Sequence, residues 1–187
     1  WGVDEVAMTL DQTYKFCCDV LGPINAVGDR QGCKLENGKV ITPEGFKEAY
    51  AQIYEAGVKG VGVDPEYGGQ GAPQVLTILV EELICGANPA FVMYPGLARG
   101  VAEVIHIFGT ARQKALYLNA LYSGKWGGTM CLTEPHAGSD VGSARTSARH
   151  IEGNRYKIKG TKIFITGGDQ DITENIIHLV LARIDNG

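Results

Sequence analysis

The sequence predicts an α+β protein: an all-helical unit over residues 1–125, then an antiparallel β unit over residues 126–187. Three observations carry this. Apolar residues recur at helical spacing, between capping signals, through the first two-thirds of the chain. At Lys125 the pattern changes to short β-rich runs. Glu152-Gly153-Asn154 then sits between two such runs as a hairpin turn signal.

Residues 4–21 place Val6, Leu10, Tyr14, Cys17 and Leu21 on one helical face, and Gly22-Pro23 is expected to stop that helix. Residues 24–42 are expected as loop, with Asn37-Gly38 within it. Thr42-Pro43-Glu44 predicts a helix start capped by Thr42, running to Ala56 and closing at Gly57. Val61–Gly71 is a Gly-rich turn. Residues 74–85 predict a largely buried helix. Asn88-Pro89 starts another, expected to be interrupted at Pro95-Gly96 and to resume over 99–108. Thr110 opens the last, ending near Tyr122. Short connections suit antiparallel neighbours. Strands are expected over 126–133, 144–151, 155–159, 162–166 and 175–183. Five strands would leave an open edge, so the β unit reads as incomplete at Gly187 and prone to self-association.

Composition narrows the function classes. With 44% hydrophobic and 20% charged residues the chain is globular in type, and a net charge of −4 gives no basic field for nucleic acid. No run reaches the roughly 20 apolar residues of a membrane span, and no signal peptide is visible. A chain starting at Trp1 is expected to lack its first residues. Five cysteines without a CxxC pair suggest reduced thiols rather than a disulfide framework or zinc site. A cytoplasmic protein is the expectation, or a mitochondrial-matrix one in a eukaryote.

The chemistry concentrates in Met130-Cys131-Leu132-Thr133-Glu134-Pro135-His136-Ala137-Gly138-Ser139-Asp140. A strand leads into a tight loop of small residues. Pro135 fixes φ, and Gly138 lets backbone approach a ligand closely. The hydroxyls of Thr133 and Ser139, with nearby backbone amides, suit a flat heteroaromatic ring or a phosphate. Plainer readings stand beside this one. Met130 and Cys131 fit a buried strand, Ser139-Asp140 fits a self-stabilised turn, and Phe164 fits ordinary sheet packing. His106 fits a satisfied core position, and His136 a loop residue. His150 and His178 suggest no metal. Arg99 and Arg112 fit solvated helix faces or partners for a phosphate.

MCLTEPHAGSDVGSARTSA, starting at Met130, resembles the signature of the acyl-CoA dehydrogenase family. So does Gly153–Gly168 downstream, with Lys159-Gly160-Thr161-Lys162-Ile163-Phe164-Ile165-Thr166 at its heart. Val63-Asp64-Pro65-Glu66-Tyr67-Gly68-Gly69-Gln70-Gly71 resembles a turn of its helical domain, and Phe108-Gly109-Thr110-Ala111-Arg112-Gln113-Lys114 resembles another of its short runs. The likeness covers about residues 45–187. It implies an N-terminal helical domain over 1–125, a truncated middle β domain over 126–187, and an absent C-terminal helical bundle. It also implies FAD, lined by Met130, Cys131, Leu132, Thr133, Gly138 and Ser139 on one side and by Phe164, Ile165 and Thr166 on the other. Thr133 and Thr166 are expected to donate to flavin heteroatoms, and Ser139 to touch the CoA part of the substrate.

The implied reaction is α,β-dehydrogenation of an acyl-CoA thioester to a trans-2-enoyl-CoA, as in fatty-acid β-oxidation, with electrons passed to an electron-transfer flavoprotein. An acyl-CoA oxidase and a non-catalytic flavin-binding relative are the alternatives. In most members the glutamate base lies in the C-terminal bundle, so no catalytic residue is assigned, and Glu134 belongs to the flavin strip instead. The piece alone is expected to be inactive, and the intact protein to be a homo-oligomer. Phe164 stands where many members have Trp. The tail, residues 169–186, leans towards the larger, broad-specificity bacterial branch.

Overall fold

The computed structural model describes residues 1–185; Asn186 and Gly187, at the end of the expected β unit, lie outside them. Helix α1 spans Val3–Phe16 and passes through a π turn, Cys17–Leu21, directly into α2, Gly22–Gln31. Gly22-Pro23 therefore does not stop the helix. Proline is costly inside a helix because its ring strikes the carbonyl one turn back and it lacks an N–H. Here the wider π turn, in which the Gly22 amide donates to the Cys17 carbonyl, places Pro23 in the first turn of α2, where neither cost applies. The expected loop also holds a small hairpin, β1 (Lys34–Glu36) and β2 (Lys39–Ile41), turning at Asn37-Gly38 with both φ values positive.

Helix α3 spans Phe46–Glu55 and starts later than expected. Thr42 does not cap it. Its amide and hydroxyl donate to Asp171 Oδ1 at 3.0 and 2.7 Å, and Lys47 pairs with Asp171 Oδ2 at 2.7 Å. The helical unit is thereby fastened to the segment before the last strands. Helices α4 (Gln74–Ala87), α5 (Pro89–Phe108) and α6 (Ala111–Tyr122) follow. Asn88 caps α5 by accepting from the Phe91 amide at 3.0 Å, and Thr110 caps α6 with Gln113 closing a capping box.

Helix α5 is continuous through Pro95-Gly96, against the expected interruption. Pro95, Phe91, Val92 and Ala98 are all buried, and that burial offsets the lost hydrogen bond. The result is one 20-residue helix long and apolar enough to cross a membrane, which the sequence was expected to lack. Its buried face, however, packs in the protein core: Val101, Ala102 and Ile105 cluster with Leu118 and Leu121 of α6. A second cluster joins Leu21, Phe46, Tyr50, Ile53, Leu76, Val80, Ile84 and Phe91. Lys59 is also buried, ion-paired with Glu81 of α4.

The β unit contains β3 (Trp126–Cys131), β4 (Ser147–Glu152), β5 (Arg155–Lys159), β6 (Asn175–Val180) and β7 (Arg183–Asp185). The α+β class holds, but among the described strands of the β unit the antiparallel pair is the β4–β5 hairpin alone. Strands β3 and β6 pair in parallel, from Trp126 opposite Asn175 to Cys131 opposite Val180. Strands β4 and β7 pair in parallel too. The expected 175–183 strand is two strands because it changes partner: the Leu181 amide still donates to Cys131 O, whereas the Arg183 amide donates to Thr146 O. The 144–151 strand starts at Ser147, after a 3-10 turn at Val141–Ser143.

No strand forms at 162–166. Phe164 there has φ of +57°, outside the extended region. Sheet β3–β6 lies on α5, with Ile177 and Leu179 against the Val101–Ile105 cluster. Gly128 makes this possible, since a Cβ there would fall 2.7 Å from the Val101 side chain.

Candidate functional site

Along β3 the pleat sorts side chains onto two faces. Thr129 and Cys131 are buried, whereas Met130 and Leu132 are 40% and 37% exposed. Met130 and Leu132 therefore offer an apolar surface. Cys131 has its side chain turned the other way, with Sγ 3.4 Å from the Thr129 hydroxyl and 3.9 Å from His178 Nδ1. Any contact that Cys131 makes with a ligand on the Met130 face runs through its backbone.

Beyond β3 the chain makes a tight turn in which Glu134 and Ala137 exchange backbone hydrogen bonds at 2.9 and 3.0 Å. Gly138 and Ser139 follow and are exposed. On the second expected segment Phe164 is 87% exposed, Ile165 is half-buried and Thr166 is exposed. A backbone hydrogen bond from Ile163 to Thr133 O, 3.0 Å, joins the two segments. The structure thus brings 130–133 and 163–166 side by side. The hydroxyls of Thr133, Ser139 and Thr166 have no hydrogen-bond partner among the described residues. This strip combines exposed apolar side chains with uncommitted donors, which suits a flat ring edged by heteroatoms.

Glu134 does not belong to the exposed surface. Its side chain is buried and accepts from the Arg145 amide at 2.7 Å, the Thr146 amide at 2.9 Å and Lys162 Nζ at 2.9 Å. His136 Nε2 lies 3.6 Å away. The neighbouring Thr146 side chain and the Arg145 amide, with Lys162, outweigh burial and hold the carboxyl well below the usual carboxylate range. Lys162 Nζ also donates to Leu132 O at 2.8 Å. The sequence drew attention to Glu134 but gave no role to Lys162, which lay inside an expected strand. Its place in the Gly153–Gly168 run, two positions before Phe164, was the available signal.

Other polar groups gather elsewhere. A groove of about 520 Å³ lies between α4 and α5, lined among others by Thr77, Glu81, Gly96, Arg99 and Glu103. Arg99 pairs with Glu103 at 3.0 Å and donates to Gly62 O at 2.9 Å, so it is held within the helical unit. His106 is half-buried beside the Tyr122 hydroxyl, 3.3 Å from it. None of the strip residues lines this groove.

Comparison with known proteins adds to this geometry. The family model described as acyl-CoA dehydrogenase, N-terminal domain, matches residues 4–125, and that described as acyl-CoA dehydrogenase, middle domain, matches residues 129–186. A 3-methylmercaptopropionyl-CoA dehydrogenase of Ruegeria pomeroyi is 42% identical over 97% of this chain and 31% of its own length. A butyryl-CoA dehydrogenase of Syntrophomonas wolfei is 43% identical over 98% of this chain and 30% of its own. The chain thus spans about three-tenths of the length of these curated relatives. Among solved structures, an acyl-CoA dehydrogenase of Bacillus anthracis complexed with FAD aligns with a TM-score of 0.74 at 28% identity, over 98% of this chain and 29% of that one.

Proposed function

The chain belongs to the acyl-CoA dehydrogenase family, and from that premise we propose that it forms part of the flavin site of an enzyme that dehydrogenates acyl-CoA thioesters. The observation that carries the reading is the strip itself: Met130, Leu132 and Phe164 exposed, beside unpartnered hydroxyls at Thr133, Ser139 and Thr166. These residues fit FAD. The apolar side chains would cover the ring, Thr133 and Thr166 would donate to its heteroatoms, and Gly138 and Ser139 would bring backbone and a hydroxyl to its edge. Bound there, FAD supplies an acceptor for hydride. The chain's own part is to position the ring, keep one side of it from water and hold the CoA portion near Ser139.

The α-proton needs a separate acceptor. Glu134 is ill-suited, because a carboxylate whose affinity for protons is so lowered makes a weak base, and its oxygens are already committed. Glu134 is therefore not the base in this reading, and we place the base, as the family resemblance implies, outside residues 1–185. The product in this reading is a trans-2-enoyl-CoA, with electrons leaving to an electron-transfer flavoprotein. Exposed apolar residues on α4 (Val75, Ile78, Leu79) and at the end of α5 (Ile107, Phe108) support a larger assembly in which these faces are covered, and a homo-oligomer is part of the proposal.

The test uses the complete protein as its gene encodes it. Loaded with FAD and kept anaerobic, it should lose flavin absorbance on addition of an acyl-CoA of suitable chain length. A bound flavin that no acyl-CoA bleaches would remove the dehydrogenase reading. Rapid peroxide release in air would favour an oxidase instead.

A further inference from the structure

We infer that Glu134 and Lys162 act together as positioning residues for the cofactor strip, so that the exposed surface is held in place by a buried ion pair beneath it. The inference rests on the flavin reading above, but the contacts that suggest it do not. Sheet pairing cannot hold the 161–166 segment, because no strand forms there. One backbone hydrogen bond, Ile163 to Thr133, joins it directly to the β3 side. Lys162 supplies the rest, bridging Leu132 O at 2.8 Å and Glu134 Oε1 at 2.9 Å with its side chain only 10% exposed.

Glu134 in turn holds the lead into β4 through the amides of Arg145 and Thr146. Three stretches of chain, 132–134, 145–146 and 162–163, thus meet at one buried carboxylate. Its ionised form is favoured by those donors, so it keeps its charge, and Lys162 its partner, at any ordinary pH. Residues on either side of Lys162 and Glu134 form the strip: Thr133 and Leu132 on one segment, Phe164 to Thr166 on the other. Loss of the pair would let the two segments part. Neither side chain needs to touch the ring for ring binding to depend on them.

Four variants of the complete protein test this: Glu134→Gln, Lys162→Met, Lys162→Arg and Arg183→Gln. Arg183 is the control. It donates to Ala144 O at 2.7 Å and to Gly142 O, so its loss loosens the lead into β4 without removing either member of the pair or its contact with the 161–166 segment. FAD dissociation constants are measured by flavin fluorescence, Tm by calorimetry, and amide hydrogen exchange is followed over residues 161–166. The expected result is an FAD dissociation constant raised at least tenfold, with faster exchange over 161–166, in Glu134→Gln and Lys162→Met. Lys162→Arg should restore most of the affinity, and Arg183→Gln should lower Tm while leaving FAD affinity within twofold.

FAD affinity within twofold of the parent in Lys162→Met, or an equal loss in Arg183→Gln, would overturn the inference. A parent protein that binds no FAD would sink the flavin reading instead. The exchange of the Ile163 amide would then still decide whether the pair holds the segment, because unchanged exchange in Lys162→Met refutes it.

Discussion

Phe164 carries its ring on a backbone that L-residues avoid. Its φ is +57°, and its side chain is too exposed to recover the cost through packing. Asn37 is the other non-glycine with positive φ among the described residues, and it sits in a tight hairpin where asparagine tolerates that conformation. Strain without local compensation is a mark of positions kept for another purpose. Phe164→Gly should therefore not destabilise the protein and is expected to gain up to about 1 kcal/mol in urea denaturation, the relieved strain less the added freedom of the unfolded chain. Phe164→Ala keeps the strain and should show no gain. Both should weaken FAD binding if the ring covers the flavin. A large loss of stability in Phe164→Gly would show that the ring packs against something and that the strain has a structural cause.

Elements were legible where one signal dominated. Asn88 and Thr110 announced their helices by residue type, and both caps form. They differ in weight. Thr110 is exposed, so Thr110→Ala should cost about 1 kcal/mol. Asn88 is fully buried and also donates to Leu21 O at 3.3 Å. Asn88→Ala should cost roughly 2–4 kcal/mol, a lost cap together with an orphaned carbonyl, as read from chemical denaturation. Elements were illegible where tertiary contacts overrode a local rule. Pro23 and Pro95 both read as breakers, yet a π turn accommodates one and burial the other. Thr42 read as a cap, but a carboxylate far along the chain claimed it. That residues 130–133 and 163–166 belong together was suggested by resemblance, and the chain does bring them side by side. Their support could not, because Lys162 and Glu134 meet only after the chain folds back.

At the scale of the molecule, Asp171 links the helical and β units through Thr42 and Lys47. Burial raises the proton affinity of this carboxyl, but Lys47 and Thr42 outweigh it and the net shift is downward. A folded-state pKa below the unfolded one adds stability above the ordinary value of 3.8 and loses it as pH falls through the folded value. Asp171→Asn should therefore lower stability at neutral pH and flatten its decline below about pH 4. A parallel acid limb in both proteins, followed by Tm against pH, would show that the link is unimportant. The parallel pairing of β3 with β6 has a consequence for the order in which the molecule assembles. Neighbouring strands of a parallel pair cannot be joined by a tight turn, and here residues 132–174 intervene, carrying the Glu134 turn, the β4–β5 hairpin and Phe164. During synthesis β3 must wait, unpartnered on that edge, until Asn175–Val180 has been made. The surface proposed to receive the flavin thus cannot be completed before that strand exists, and a ribosome-bound chain ending before Asn175 would hold every residue of the strip without a finished sheet to carry it.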